Sequence, residues 1–201
     1  MSRVTRLDGH IDEKKVSLCT RQLLEFDEAD PTSPIRLVIN SEGANIDVTQ
    51  LIINTLKKRI RAPVVTVGVD NICSGALAVF VHGARRIAFK RSEFLFHEVY
   101  YDEFPSGIDR LHAHAARELA KALDKDDRQY FNNCTFVGEH HVSLCQLSAE
   151  QLRARVTKGI NREYIINASE ARRLGFVDHV VKNMGGVQRV ERQLRKEWQG
   201  T

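Results

Sequence analysis

The sequence predicts an α/β fold in which short buried strands alternate with amphipathic helices. Two β-branched apolar runs, IRLVIN (35–40) and VVTVGV (64–69), are too short to be helices and read as strands. Between them lies DVTQLIINTLKKRI, in which Val48, Leu51, Ile52, Thr55, Leu56 and Ile60 keep a helical period. A strand, a helix and a strand at this spacing imply a right-handed parallel crossover. The same alternation then recurs toward the C-terminus.

In chain order, a first strand is expected near Val4–Leu7. The next segment, DEKKVSLCTRQLLEF, places Val16, Cys19, Leu23 and Phe26 on one helical face. DEADPTSP forms the turn into IRLVIN, and the loop SEGANI leads into the second helix, which Pro63 closes. After VVTVGV, the stretch NICSGALAVFVHG (71–83) reads as a tight turn running into an apolar helix. Short strands follow near Arg86–Phe89 and Phe94–Val99. A long helix is expected at about 108–133, with Leu111, Ala115, Leu119, Ala122 and Tyr130 on one side. Its second half, KALDKDDRQYFNN, is so polar that it is expected to protrude toward a partner. LSAEQL carries a capping box, Ser148 with Gln151, flanked by a Leu147–Leu152 staple. A further helix is expected to begin near Asn167 and to stop at Gly175. FVDHVV reads as the last strand, with Asp178 holding local backbone, and 186–201 as a basic amphipathic tail.

At 201 residues, 42% hydrophobic and 28% charged, the chain is expected to fold as one globular domain spanning 1–201. Its longest apolar runs are too short to span a membrane, and MSRVTRLDGH lacks the apolar segment of a secretory signal. Cys19, Cys73, Cys134 and Cys145 follow no framework spacing and are expected to be reduced thiols in a cytoplasm. A net charge of +4 spread over several helices indicates neither nucleic acid nor membrane as a partner.

Three segments stand where strands give way to helices or end: NSEGAN, NICSGA and FLFHEV. Ligands of α/β proteins gather at such transitions. Ser74 opens a helix and reads either as its cap or as a nucleophile at the positive end of the helix. An oxyanion formed there would find the Gly75 amide and an amide of the Gly43–Ala44 turn. His97 ends a strand and would act as general base toward Ser74 if the sheet brings them together, and an acid behind it would fix its tautomer. Cys73 is the neighbouring rival nucleophile. Cys134, His140, His141 and Cys145 have zinc-binding chemistry but loose spacing, and no metal is expected there.

The order of these segments resembles the ClpP family, the proteolytic subunit of the Clp protease, within the ClpP/crotonase superfamily. GHID with its helix, IRLVINSEGANI, APVVTVGVDNICSGALAVFVHGARRIA, FLFHEV and INREYIINASEARRLGFVDHV are similar to that family's successive motifs, from about residue 3 to 181. The resemblance implies a fold of repeated ββα units with the long helix as a handle. It implies Ser74 as nucleophile, His97 as base, Glu163 as the acid, and Ala44 and Gly75 as oxyanion-hole amides. It further implies serine peptidase activity on unfolded polypeptides or short peptides, without metal or organic cofactor. The chamber would be a ring of identical copies, a heptamer or double heptamer, with a AAA+ unfoldase as the associated partner.

The chain departs from the family pattern at several places. Glu42 replaces the loop proline, Ala44 the second glycine, Asp70 a glycine and Glu163 an aspartate. If the turn needs a positive φ at Ala44, the alanine costs about 1–2 kcal/mol. The interval from Ser74 to His97 is short, suggesting a tight loop around Arg85–Arg91, and residues 134–146 read as an insertion. Because the sequence opens on the first expected strand, the family's pore-lining N-terminal segment is expected to be missing or truncated, which bears on unfoldase engagement. Two other readings stay open: a catalytically inactive ClpP-like structural subunit, and a crotonase-type acyl-CoA hydratase or isomerase in which Glu98 or Asp70 would serve the reacting carbon.

Overall fold

The computed structural model describes residues 3–100, 113–135 and 145–199. The first half forms β1 (Val4–His10), α1 (Glu13–Ala29), β2 (Ile35–Gly43), α2 (Ile46–Lys58), β3 (Val64–Cys73), α3 (Ser74–Val81), β4 (Arg85–Phe89) and β5 (Glu93–His97). The second half forms α4 (Ala113–Cys134), α5 (Ala149–Lys158), a 3-10 turn at Ile160–Arg162, β6 (Glu163–Asn167), α6 (Ala168–Arg173), β7 (His179–Val181) and α7 (Met184–Gln199). Strands β1, β2, β3, β4 and β7 run parallel in that order, β5 joins β3 in parallel, and β6 closes antiparallel on β5. The α/β expectation holds.

Strand β3 has two successive neighbours. Val65–Gly68 pair with Arg85–Ala88 of β4, whereas Asn71–Cys73 pair with Glu93–Leu95 of β5. Between the two stretches Asp70 takes φ +60°, a left-handed conformation that turns the strand from one partner to the other. Aspartate tolerates it better than most side chains, and its carboxylate pairs with Arg91 at 2.6 Å. This accounts for Asp70 at a position where the sequence comparison expected glycine.

The main core lies between one face of the sheet and α1–α3, with Leu7, Leu23, Leu37, Ile39, Ile52 and Phe80 fully buried. Helix α3 is buried from Gly75 to Val81, so it is apolar all round. The opposite face carries a second apolar layer, in which Val38, Val65, Val67 and Ile87 meet Val187 and Leu194 of α7. The basic tail therefore covers the sheet, with Arg189, Arg192 and Arg195 exposed and Glu191 ion-paired to Arg36.

Several boundaries differ from the expectation. β1, β2 and β3 run three or four residues longer, because their ends continue pairing as they approach the site. The last strand is confined to His179–Val181, since Phe176 and Val177 turn into the core. β6 was not foreseen. The start of the long helix expected at 108, the pair His140–His141 and most of the 134–146 insertion lie outside the described residues. The polar second half of α4 is docked along one side. Tyr130, Phe131 and Cys134 are buried there, and Gln129 and Asn133 donate to the Gln50 side chain at 2.9 and 3.1 Å. On its other side Lys121, Ala122, Lys125, Arg128 and Asn132 are exposed. Polar residues with partners dock as readily as apolar ones. The capping box of α5 is present in both directions, and Asn167 caps α6, after which Gly175 takes φ +85°.

Asp178 holds backbone as expected, and more. Its carboxylate pairs with the guanidinium of Arg86 at 2.9 Å, with both side chains about fully buried. It also accepts the Arg86 amide at 2.8 Å, while Arg86 Nη1 donates to the Gly175 carbonyl at 2.8 Å. Removing one partner strands a buried charge, so Asp178→Ala is expected to destabilise the fold by about 3–5 kcal/mol. Replacing both by apolar residues, as in Arg86→Met with Asp178→Leu, is expected to cost less than the single change. Urea unfolding of the wild type and the two variants measures this.

Candidate active site

The site begins at the end of β2. Ser41 Oγ donates to the Gly9 carbonyl at 2.6 Å and accepts the Gly43 amide at 2.9 Å. The Gly43 carbonyl accepts from the Ile11 amide at 2.9 Å. Both sides of this residue are thus pinned, and it takes φ +114°. The positive φ falls on Gly43 and not on Ala44, so Ala44 carries no such penalty. Asn45 then caps α2, its side chain accepting the Val48 amide at 2.9 Å. The Ala44 amide between them donates to no described residue.

The Gly43–Ala44 loop touches the start of α3 backbone to backbone. A Cβ on Gly43 would lie 2.7 Å from Ser74 Cβ and 3.1 Å from the Gly75 nitrogen. One on Gly75 would lie 2.2 Å from Thr49 Oγ1 and 3.2 Å from the Ala44 nitrogen. Real Cβ atoms do not approach so closely, so only glycine fits either position. The two expected oxyanion amides, of Ala44 and Gly75, are therefore neighbours across this contact.

Ser74 is not the helix cap. Cys73 occupies that position without a side-chain cap bond, and Ser74 is the first residue of α3. It sits at φ +51°, a left-handed backbone that costs a non-glycine residue about 1–2 kcal/mol. Its hydroxyl forms no hydrogen bond with a described residue, and Ser74 lines a cavity of about 620 Å³ together with His97, Gly43, Ala44, Gly75 and Tyr130. The nucleophile, base and amide candidates thus share one cleft.

His97 ends β5. Its Nδ1 lies 2.6 Å from the Glu98 carbonyl. A carbonyl only accepts, so Nδ1 carries the proton and Nε2 is the basic nitrogen. The rings of Tyr100 and Tyr130 flank the imidazole at 5.3 and 6.1 Å. Glu163 stands directly opposite His97 in the β5–β6 ladder, so its side chain shares that face. It forms no hydrogen bond with the imidazole and does not line the cavity. Nor are Ser74 and His97 hydrogen-bonded to each other, a gap common in unliganded sites.

Cys73 is a poor rival for Ser74. Burial, and then the charges of Glu42, Glu93 and Glu163, push its thiol up to about 11. The two carboxylates that acyl-CoA chemistry would require are also engaged away from the cavity. Asp70 pairs with Arg91, and Glu98 with Arg162 at 2.6 Å. Burial pushes the Cys134 thiol up, and it pushes up that of Cys145 as well. Among the described residues no three metal-ligating side chains converge. Sequence reasoning missed the Glu98 carbonyl, Asp127 and the cavity role of Tyr130. Tyr130 carried a helical-periodicity signal only, and the other two carried none.

Fold and cleft together define a class: an α/β protein that brings a serine at a helix start, a strand-end histidine and paired backbone amides to one cavity. A family model for Clp protease matches residues 1–184, and the chain belongs to that family. Membership makes it, at the level of the family, a ClpP-like peptidase.

Gly75→Ala is expected to drive Ala44 and Thr49 away from α3 and to abolish covalent labelling of Ser74 by a fluorophosphonate, read by mass spectrometry. Because only about 0.1% of a thiol that titrates near 11 is thiolate at pH 8, iodoacetamide at that pH is expected to leave Cys73 unmodified. Its alkylation should rise with pH toward 11.

Proposed function

We propose that this chain is a serine peptidase of the Clp type that cleaves unfolded polypeptides or short peptides. Ser74 Oγ attacks the scissile carbonyl while His97 Nε2 takes its proton. The Ala44 and Gly75 amides, helped by the N-terminal field of α3, hold the oxyanion. His97 then returns the proton to the leaving amine, and water repeats the sequence on the acyl-enzyme. The Glu98 carbonyl sets the tautomer, and Glu163, across the ladder, supplies negative charge toward the imidazolium. The observation that carries this reading is the shared cleft of Ser74, His97 and the two-glycine contact. Copies of the chain assemble into a ring that encloses the cleft, as the family membership suggests.

The acyl-CoA reading has less support, since neither Glu98 nor Asp70 reaches the cavity. A fluorophosphonate is expected to add to Ser74 in the wild type and not in Ser74→Ala. His97→Gln is expected to slow cleavage of a fluorogenic peptide by at least about a thousandfold. A folded protein that takes no label and cleaves nothing would instead be a structural subunit.

A further inference from the structure

The residue after the base is held from three sides. The Glu98 carboxylate accepts from Arg162 Nη1 at 2.6 Å through one oxygen and from Thr157 Oγ1 at 2.8 Å through the other. The next amide, that of Val99, donates to Asp127 Oδ1 at 3.0 Å, and Asp127 is buried in α4 and paired to Arg153 of α5 at 2.6 Å. The Glu98 peptide is thereby fixed through its side chain and through its neighbour. Its free carbonyl is the atom that receives Nδ1–H of His97.

Arg162 itself sits in an unusual backbone. Asn161 and Arg162 are consecutive left-handed residues, at φ +55° and +56°. Such strain persists only where surrounding contacts hold it, and it gathers at functional sites. The guanidinium is two-thirds exposed, so the ion pair adds little to global stability. Burial alone would raise the Glu98 carboxyl, yet the hydrogen bonds from Arg162 and Thr157, with the charges of Arg162 and Arg153, hold it below the usual range. Glu98 is therefore ionised and able to grip Arg162 at neutral pH.

We propose that Arg162 is a positioning residue for the base: by clamping Glu98 with Thr157, it aims the Glu98 carbonyl at His97 Nδ1 and so keeps Nε2 unprotonated and facing the Ser74 cavity. The proposal rests on the peptidase reading for its meaning, but its geometry is testable without turnover. The clamp ties the tautomer of a strand-end histidine to the α5–β6 connection, the same segment that presents Glu163.

The test uses the full chain labelled with ¹⁵N-histidine, with the His97 signals assigned by subtraction against His97→Gln. Wild type is expected to show the Nδ1–H tautomer at neutral pH. Arg162→Gln is expected to give a mixture of tautomers and to lower kcat on a fluorogenic peptide about 10- to 100-fold. Its KM should change less than threefold and its unfolding midpoint hardly at all. Thr157→Val should act in the same direction more weakly, and Arg162→Lys, which keeps the charge, should recover part of the loss. Arg173→Gln, which breaks another exposed ion pair, serves as the control and should match wild type. An unchanged tautomer in Arg162→Gln overturns the proposal, as does a kcat loss matched by an equal loss of folded protein. If wild-type Ser74 takes no fluorophosphonate, the peptidase reading fails, while the tautomer still decides whether Arg162 positions His97.

Discussion

The site depends on one contact, in which the backbone of Gly43 rests against Ser74 and Gly75 with no side chain between them. It brings the end of β2 within van der Waals reach of the first turn of α3, setting the Ala44 amide beside that of Gly75. A first-turn amide has no partner inside its helix, and the Ala44 amide has none in the loop. Both residues line the same cavity, and among the described residues the Ala44 amide has no acceptor. Leaving such donors unpaired costs stability. The pinning of Gly43 by Ser41 and Ile11 shows where the compensation lies.

Backbone strain follows the same geography. Among the described residues, the non-glycine positions with left-handed φ are Asp70, Ser74, Asn161 and Arg162. Asp70 turns β3 from β4 to β5, Ser74 begins α3, and the other two precede Glu163. Each marks a point where the chain is bent to deliver a group to the cleft or to its supports. Such bends need a rigid frame. The buried Arg86–Asp178 pair, joining β4 to the turn before β7, and the two apolar layers provide it. An ion pair is a costly element in a core, but here Asp178 Oδ2 also accepts the Arg86 amide and Arg86 Nη1 fastens the Gly175 carbonyl.

How much of this was legible in the sequence depends on the range of the interaction. The capping box at Ser148, the Asn167 cap and the stop at Gly175 are set by residues three or four apart, and each is where the sequence placed it. The strand–helix alternation was also legible from periodicity, whereas Ser74, His97, Ala44 and Gly75, which line one cavity, were singled out together by the family resemblance. What escaped was set at long range or by main chain. β6 has only five residues and owes its existence to pairing with β5. The docked polar end of α4 reads as solvent-facing until Gln50 and Arg153 are in place. Ser74 has the composition of a cap, but the cap position falls one residue earlier, on Cys73, since β3 runs on to that residue.

The hydrogen bond on His97 shows how a longer acid fits the site. A catalytic histidine needs one of its nitrogens held as a donor and its charged form stabilised as it takes the proton. One carboxylate can do both only if it meets Nδ1 directly, a requirement that a change from aspartate to glutamate disturbs by one methylene. In the peptidase we propose, the two needs are divided. The Glu98 carbonyl holds the proton on Nδ1, for which charge is unnecessary. Glu163, opposite His97 in the ladder, then acts through its field rather than through a short contact. A main-chain acceptor brings its own constraint, because it points only where its peptide plane is held. For that reason the ring of contacts around Glu98 and Val99 belongs to the working of the base as much as the imidazole does.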